Sequence, residues 1–390
     1  MFHSTREEPT IPQEANQSEH GFKSVRQSLL AGRTEIAVIA ILLISYFYLR
    51  LTGTQDTLMV LLGIVVGIWL AFRPSEWAVE GIESIAGHVR VTAYVAGMLT
   101  SLASNMPEAI ISGIAAWQGY VSSRPELLDI AVVSVLIAAG FNMLLLGVTI
   151  MISTRGAEDM AVPEEAIKKD SVLIRWTIVA LISMFALGVI SLASSGGSND
   201  LRFPAMASFV LFLSYLIYGS VLTTGDVVES KETAIPHHSK RSAVILSLIG
   251  VIGIFFAGEI LTHSVDELLT TQHELVAAIG DEVTVAAFIL GAAGALPEHG
   301  IALIAAAKGK VGIAVGNLIG GVLQIVLLVM GGIGIFVPIP LDHYVLFQII
   351  VIAGSLWFLK RAITDDHRLD FFEGAMIVLL QAYVFVLLLS

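Results

Sequence analysis

The sequence contains no cysteine, which excludes a disulfide framework, a thiolate nucleophile, an iron–sulfur cluster and a cysteine zinc site. Charge is scarce too: only 14% of the 390 residues are Asp, Glu, Lys or Arg. Bases are the rarer sign, 21 against 33 acids for a net charge of −12. A nucleic-acid partner needs a basic footprint that displaces counterions, so that class is set aside. Residues 1–34 are polar and mixed in charge. They lack the apolar core of about 7–15 residues that marks a signal peptide, and they read as a disordered tail.

What the chain has in quantity is hydrophobicity, 56% of its residues with a mean hydropathy of +0.84. A helix crossing the hydrocarbon layer needs about 20 apolar residues. Apolar runs between charged or Gly/Pro-rich breaks predict an all-α polytopic membrane protein of about eleven crossings. Six are expected near Ile36 to Thr52, Thr57 to Phe72, Val91 to Trp117, Leu128 to Ile152, Val172 to Ala193 and Phe203 to Leu222. Five more are expected near Ala243 to Leu261, Val283 to Ala307, Val311 to Val337, Tyr344 to Leu359 and Gly374 to Leu389.

The distribution of bases orients this array. With the N-terminus inside, every Lys and Arg except Arg50, Arg124 and Arg202 falls in an inside segment, as the positive-inside rule requires. A cytoplasmic N-terminus follows, in a prokaryotic plasma membrane rather than an organelle. The loop from His263 to Glu282 carries five acids and no base and falls outside; it reads as a solvated acidic loop that could also concentrate cations near an entrance.

An internal repeat is the most informative feature. Ser104-Asn105-Met106-Pro107-Glu108-Ala109 interrupts the third crossing, and Gly294-Ala295-Leu296-Pro297-Glu298-His299 interrupts the eighth. Each is followed later by an amide in an apolar, Gly-containing segment, Asn142 after Gly140 and Gln324 after Gly320-Gly321. Pairing the two elements divides the chain into an extra helix at 35–53, a first repeat at 56–223, a cytoplasmic linker at 224–240 and a second repeat at 241–390. Five crossings per repeat, an odd number, force the two halves into opposite orientation, the inverted-repeat plan of secondary transporters.

Proline inside a helix removes a backbone hydrogen bond and clashes with the carbonyl four residues earlier, so helix breaks are expected at Pro107 and Pro297. Such backbone at membrane depth is tolerated where it lines a cavity or is packed in protein. A carboxylate follows each break, and a charged side chain near the bilayer centre costs about 2.5–3.5 kcal/mol on insertion scales. No Lys or Arg lies within these crossings, which leaves protons or metal ions as partners for Glu108 and Glu298. Carboxylates, carbonyls and amides form an all-oxygen ligand set suited to a hard cation such as Ca²⁺. One divalent ion or protons, in exclusive occupancy, is the minimum chemistry of an antiporter.

Pro-Glu is also an ordinary helix start, and it is the duplication that favours function. Asn105, Asn142 and Gln324 are candidate ion-coordinating or supporting groups, with interhelical hydrogen bonding as their plain alternative. His299 is a possible further proton site or a packed histidine. Glu259 reads as interfacial and His237-His238 as a solvated pair in an inside loop.

At these residues the chain resembles the Ca²⁺:cation antiporter superfamily, whose members carry two inverted repeats with an acid in each. The segment from Gly294 to Lys310, followed by Ala314 to Val326, resembles the Ca²⁺/H⁺ exchanger branch, with its Gly-Asn-x-x-Glu-His and Gly-Ser-x-x-Gln-Ile elements. Glu298, His299, Gln324 and Ile325 match directly; Asn105, Glu108 and Asn142 match in the first repeat. The extra N-terminal helix also suits that branch. The resemblance implies that Glu108 and Glu298 bind the ion, with Asn105, Asn142 and Gln324 around them. Ala295 and Gly321 depart from the family's Asn and Ser, and the Thr-Ser hydroxyls of the Na⁺/Ca²⁺ branch are missing at Gly294-Ala295.

The expectation is a secondary antiporter exchanging Ca²⁺ for H⁺ by alternating access, a transporter and not an enzyme. Its partners are small cations and the lipid bilayer, and it needs no cofactor beyond the transported ions. Exchange coupled to Na⁺ is the nearest alternative. An intramembrane metal-dependent enzyme built on Asp365-Asp366 and Asp370 is the rival from another class, and it leaves the duplicated Pro-Glu elements unexplained. An ion channel or ion sensor is a third.

Overall fold

A computed structural model describes residues 33–53, 57–91, 93–155, 159–162, 171–194, 201–224, 236–307, 311–365 and 367–389; within these, the side chains of 33, 93–95, 97, 98, 221–224, 273, 275, 296–307 and 311–316 are not described. The tail at 1–32 and most of the linker at 224–240 therefore lie outside the described residues. The elements are almost all helical: α1 (Arg33–Leu51), α2 (Thr57–Val89), α3 (Ala93–Ser104), α4 (Met106–Val121), α5 (Pro125–Ser153), α6 (Ser171–Ser194) and α7 (Ala205–Thr224). They continue with α8 (Lys240–Thr271), α9 (His273–Ile279), α10 (Glu282–Ala307), α11 (Val311–Gln324), a π-helical segment (Ile325–Met330), α12 (Gly331–Phe336), α13 (His343–Asp365) and α14 (Phe371–Leu389).

Among the described residues eight helical stretches are long and apolar enough to cross a membrane, and two shorter apolar stretches lie at Ala205–Ser220 and Glu282–Ala295. The expected third crossing contributes none of the eight. Its helix stops at Ser104 and restarts at Met106, so neither half alone reaches spanning length. Large apolar side chains such as Phe255, Phe256, Trp357, Phe372 and Tyr383 face outward, as expected of a surface solvated by lipid rather than water.

The helix α5 forms the centre, with 72% of its most apolar stretch buried. It is hydrophobic all round, the pattern of a helix enclosed by others; α4, α10, α11 and α14 all pack on it. The two longest helices, α2 and α8, form the most extensive helix pair. Their approach depends on small residues. A β-carbon on Gly250 would lie 2.5 Å from the Pro74 carbonyl oxygen and 2.5 Å from the Ala78 nitrogen, so the backbones themselves are in contact.

Two short antiparallel ribbons tie loops together across the chain. The strand β1 (Asp159–Ala161) follows α5 and pairs with β4 (Arg368–Asp370), which follows α13, in the register Asp159 to Asp370. The strand β2 (Arg202–Phe203) follows α6 and pairs with β3 (Ile339–Pro340), which follows α12, in the register Phe203 to Ile339. An Arg368–Asp159 ion pair at 3.1 Å closes the first ribbon.

The expected break at Pro297 is corrected. A single helix, α10, runs through it from Glu282 to Ala307. Proline deletes one backbone donor, and the helix continues past it nonetheless.

Replacing Gly250 by Val should overpack the α2–α8 contact and cost about 1–3 kcal/mol. A thermal unfolding midpoint several degrees lower in detergent is the expected result.

Candidate ion-binding site

The break between α3 and α4 consists of one residue, Asn105, with Pro107 in the first turn of α4. Proline suits that position because the first N–H groups of a helix have no partner in any case. The break turns Asn105 inward, 4% exposed, and sets Glu108 on the first turn of α4, where the helix dipole favours a negative charge.

Asn105 Nδ2 donates to the Ser101 carbonyl at 3.1 Å and to Gln324 Oε1 at 2.6 Å. Gln324 Nε2 in turn donates to Ser101 Oγ at 3.0 Å. The two amides, 219 residues apart, thus form a closed hydrogen-bonded loop that joins the α3–α4 break to the end of α11. Gln324 is the last residue before the π-helical segment. Such widened turns recur at functional positions because they re-aim side chains at the expense of regular pairing.

Glu108 is 1% exposed. Its Oε1 accepts a hydrogen bond from Ser112 Oγ at 2.8 Å, and Ser112 Oγ lies 3.0 Å from Ser134 Oγ on α5. Ser134 Oγ is also 2.9 Å from the Ala131 carbonyl. Each hydroxyl carries one proton, so this chain of groups can be polarised either way. It runs toward Glu108 when the carboxylate is ionised and away from it, ending on the Ala131 carbonyl, when the carboxyl is protonated.

The helix α10 presses directly on this acid. A β-carbon on Gly294 would collide with the Glu108 carboxylate and sit 3.0 Å from its Cα, and one on Gly291 would lie 2.7 Å from the Ser134 carbonyl oxygen. Glu298 follows Gly294 by four residues on the same helix, hence on the same face. The side chains of Pro297, Glu298 and His299 lie outside the described residues. Asn142 is fully buried on α5, about two turns beyond Ser134.

The structure brings Asn105 and Gln324 together, sets Glu108 beside α10, and encloses Asn142 in the central helix. Ser101, Ser112 and Ser134 were not singled out from the sequence. Ser112 stands four residues after Glu108, a spacing that puts both on one helix face, and Ser134 is the one polar residue in the apolar run from Ile130 to Ala139; either signal could have found them. Glu259, expected to be interfacial, is part-buried, and Gln118 Nε2 donates to its Oε2 at 3.0 Å. The acids of the rival enzyme reading are engaged elsewhere: Asp365 pairs with Arg361 at 3.0 Å, and Asp370 and Glu373 cap the start of α14 reciprocally. Asp366 lies outside the described residues.

Comparison with known proteins places this geometry in a lineage. The family described as sodium/calcium exchanger protein matches residues 55–224 and again 242–390. The chain belongs to that family. It is a multi-pass membrane cation antiporter, a transporter rather than an enzyme. It is 27% identical over 291 residues to the putative antiporter CaxA of Alkalimonas amylolytica, covering 73% of this chain and 82% of that one. It is also 27% identical over 219 residues to the Ca²⁺/H⁺ antiporter ChaA of Bacillus subtilis, covering 53% of this chain and 60% of the relative. The crystal structure of the H⁺/Ca²⁺ exchanger CAX superimposes with a TM-score of 0.69 at 16% identity over 92% of both chains. The sodium–calcium exchanger NCX_Mj gives 0.56 at 21% identity, over 84% of this chain and 99% of that one. At these identities the structural likeness establishes the fold.

Replacing Asn105 by Ala should leave the buried Gln324 Oε1 without its donor, a loss of about 1–3 kcal/mol. A lower unfolding midpoint together with weaker Ca²⁺ binding is expected; Gly294→Val should do the same by displacing Glu108.

Proposed function

We propose that this antiporter exchanges Ca²⁺ for protons by alternating access, with Glu108 and Glu298 as the groups that hold one cargo or the other. The observation that carries the reading is the buried Glu108 carboxylate, packed against Gly294 one turn before Glu298 and bonded to a hydroxyl chain of reversible polarity. A carboxylate in that setting needs a cation or a proton. The oxygens of Glu108, Ser101, Asn105, Asn142 and Gln324 are hard donors of the kind Ca²⁺ prefers. The Ser112–Ser134 chain gives the protonated form of Glu108 an acceptor as good as the donor it gives the ionised form. The naming of the Bacillus relative as a Ca²⁺/H⁺ antiporter points the same way. In this reading His299 is a further proton-accepting group beside Glu298.

The two halves are read as inverted repeats, 56–223 and 241–390, preceded by one extra helix, with eleven crossings in all. Two facts support this. The family matches the chain in two blocks with nearly those bounds. The ribbons obey the exchange as well: mapping α5 onto α11–α12 and α6 onto α13 turns the β1–β4 pair into β3–β2, which is the other ribbon observed. Inverted halves around one site give two related conformations, open to opposite sides. The distribution of bases supports a cytoplasmic N-terminus, and the bacterial relatives support a plasma membrane as the setting.

The test is Ca²⁺ movement into proteoliposomes under an imposed pH gradient without Na⁺. Flux should follow the proton gradient and fall to background in Glu108→Gln and in Glu298→Gln. Flux that appears only when Na⁺ is supplied, or normal flux in either variant, would contradict the proposal.

A further inference from the structure

A second cluster of ionisable groups lies where the end of α2 meets the turn that begins α8. His238, expected from the sequence to be solvated, is docked on α2 instead, while His237 is 63% exposed. Ser84 Oγ donates to the His238 carbonyl at 3.1 Å and accepts the His238 N–H at 2.9 Å. His88 Nε2 lies 2.8 Å from the same carbonyl. The backbone of the turn is therefore clipped at both its polar groups, and the His238 side chain is only 9% exposed.

The side chains of the turn meet two carboxylates. His238 Nε2 is 3.6 Å from Glu80 Oε2, and His237 Nε2 is 3.8 Å from Glu83 Oε1. These four residues line a cleft of about 190 Å³. Both separations are longer than a hydrogen bond of about 2.7–3.2 Å. Glu80 Oε2 is shielded from solvent and has no hydrogen-bond partner among the described residues. The Glu80 side chain as a whole is 44% exposed, so its carboxylate keeps part of its hydration; the shielded oxygen still gains from a charged donor, and the imidazolium of His238, 3.6 Å away, can become one. A metal ion does not fit here: among the described residues no three His, Asp or Glu side chains converge to hold one. The positive start of α8 opposes any cation here, and a divalent one more strongly than the single charge of an imidazolium. A proton is the ligand that the cleft accommodates.

We propose that His238 and Glu80 form a regulatory proton-binding site, which latches the turn before α8 onto α2 when the adjacent aqueous phase is acid. Among the described residues, Glu80 and His88 of α2 lie against His238, with His237, Lys240 and Arg241 near it in sequence and Glu83 beside His237; Glu76, one turn back, is engaged by Arg73, whose charge also acts on Glu80. Lys240 and Arg241 point to solvent, where screening weakens their repulsion. Protonation gives Glu80 its charged donor and strengthens the latch; deprotonation removes it. Because α2 and α8 pack along each other, a clip across their ends restrains any sliding between them. If the chain exchanges Ca²⁺ for protons as proposed above, and only in that case, the latch would change the rate of that exchange as the cytoplasm acidifies. The latch itself does not depend on that reading.

The absence of cysteine makes the test direct. Val89 and Arg241 are both exposed, and cysteines placed there in the full chain can carry spin labels for a distance measurement across the latch. Between about pH 5.5 and 8, the range in which imidazole titrates, the distribution should be short and narrow in acid and longer and broader in base. The shift should vanish in His238→Gln and in Glu80→Gln, the latter retaining the Ser84 clip and a neutral side chain of the same shape. An unchanged distribution in the parent, or a pH-dependent shift that persists in both variants, would overturn the proposal. Neither result depends on which ions the protein transports.

Discussion

The arrangement depends on one constraint: a carboxylate, Glu108, held 1% exposed in a chain solvated by hydrocarbon. Such a group costs several kcal/mol unless it has a cation, a proton or strong donors, and the surrounding elements are organised to supply them. The single-residue break at Asn105 sets Glu108 on the first turn of α4. Ser112 and Ser134 connect it to the central helix. The glycines of α10 bring a third helix into contact with it. None of these features would be needed to pack an apolar bundle.

The same constraint explains why the polar groups form loops rather than isolated bonds. The circuit of Ser101, Asn105 and Gln324 uses both polar atoms of the Gln324 amide, so a buried polar seam is added with little unsatisfied capacity. Oxygens held in such a circuit can be lent to a cation and regained when it leaves. Around this core, α2 and α8 lie backbone to backbone at Gly250, with Leu261 and Pro74 seated against glycines of the facing helix. The two ribbons fasten opposite parts of the chain to one another, leaving motion to the helices between them.

Much of this was legible in the sequence because the signals were local or duplicated. Apolar runs marked the helices, and the first Pro-Glu element marked Glu108, which is buried. Asn105 and Gln324 stood out as amides in apolar surroundings, though nothing in their spacing said that they bond to each other. Their contact is made by tertiary packing across 219 residues. Ser134 was passed over because a lone hydroxyl in an apolar helix ordinarily bonds its own backbone, and this one does so as well as reaching Ser112. The π-helical turn after Gln324 has no sequence signature. Pro297 suggested a break by analogy with Pro107, but the outcome depends on neighbours: Asn105 leaves the helix while the glycines and alanines before Pro297 do not. His238 looked solvated because the groups that dock it, Glu80, Ser84 and His88, lie some 150 residues away.

The central claim is that one cation and protons compete for the same carboxylates. It is tested most directly by measuring proton release as Ca²⁺ binds to the purified protein, using calorimetry in buffers of different ionisation enthalpy. The account predicts that protons leave as Ca²⁺ enters, that affinity falls as pH falls, and that Glu108→Gln releases fewer protons than the parent. Ca²⁺ binding with no proton release, at an affinity independent of pH, would contradict it.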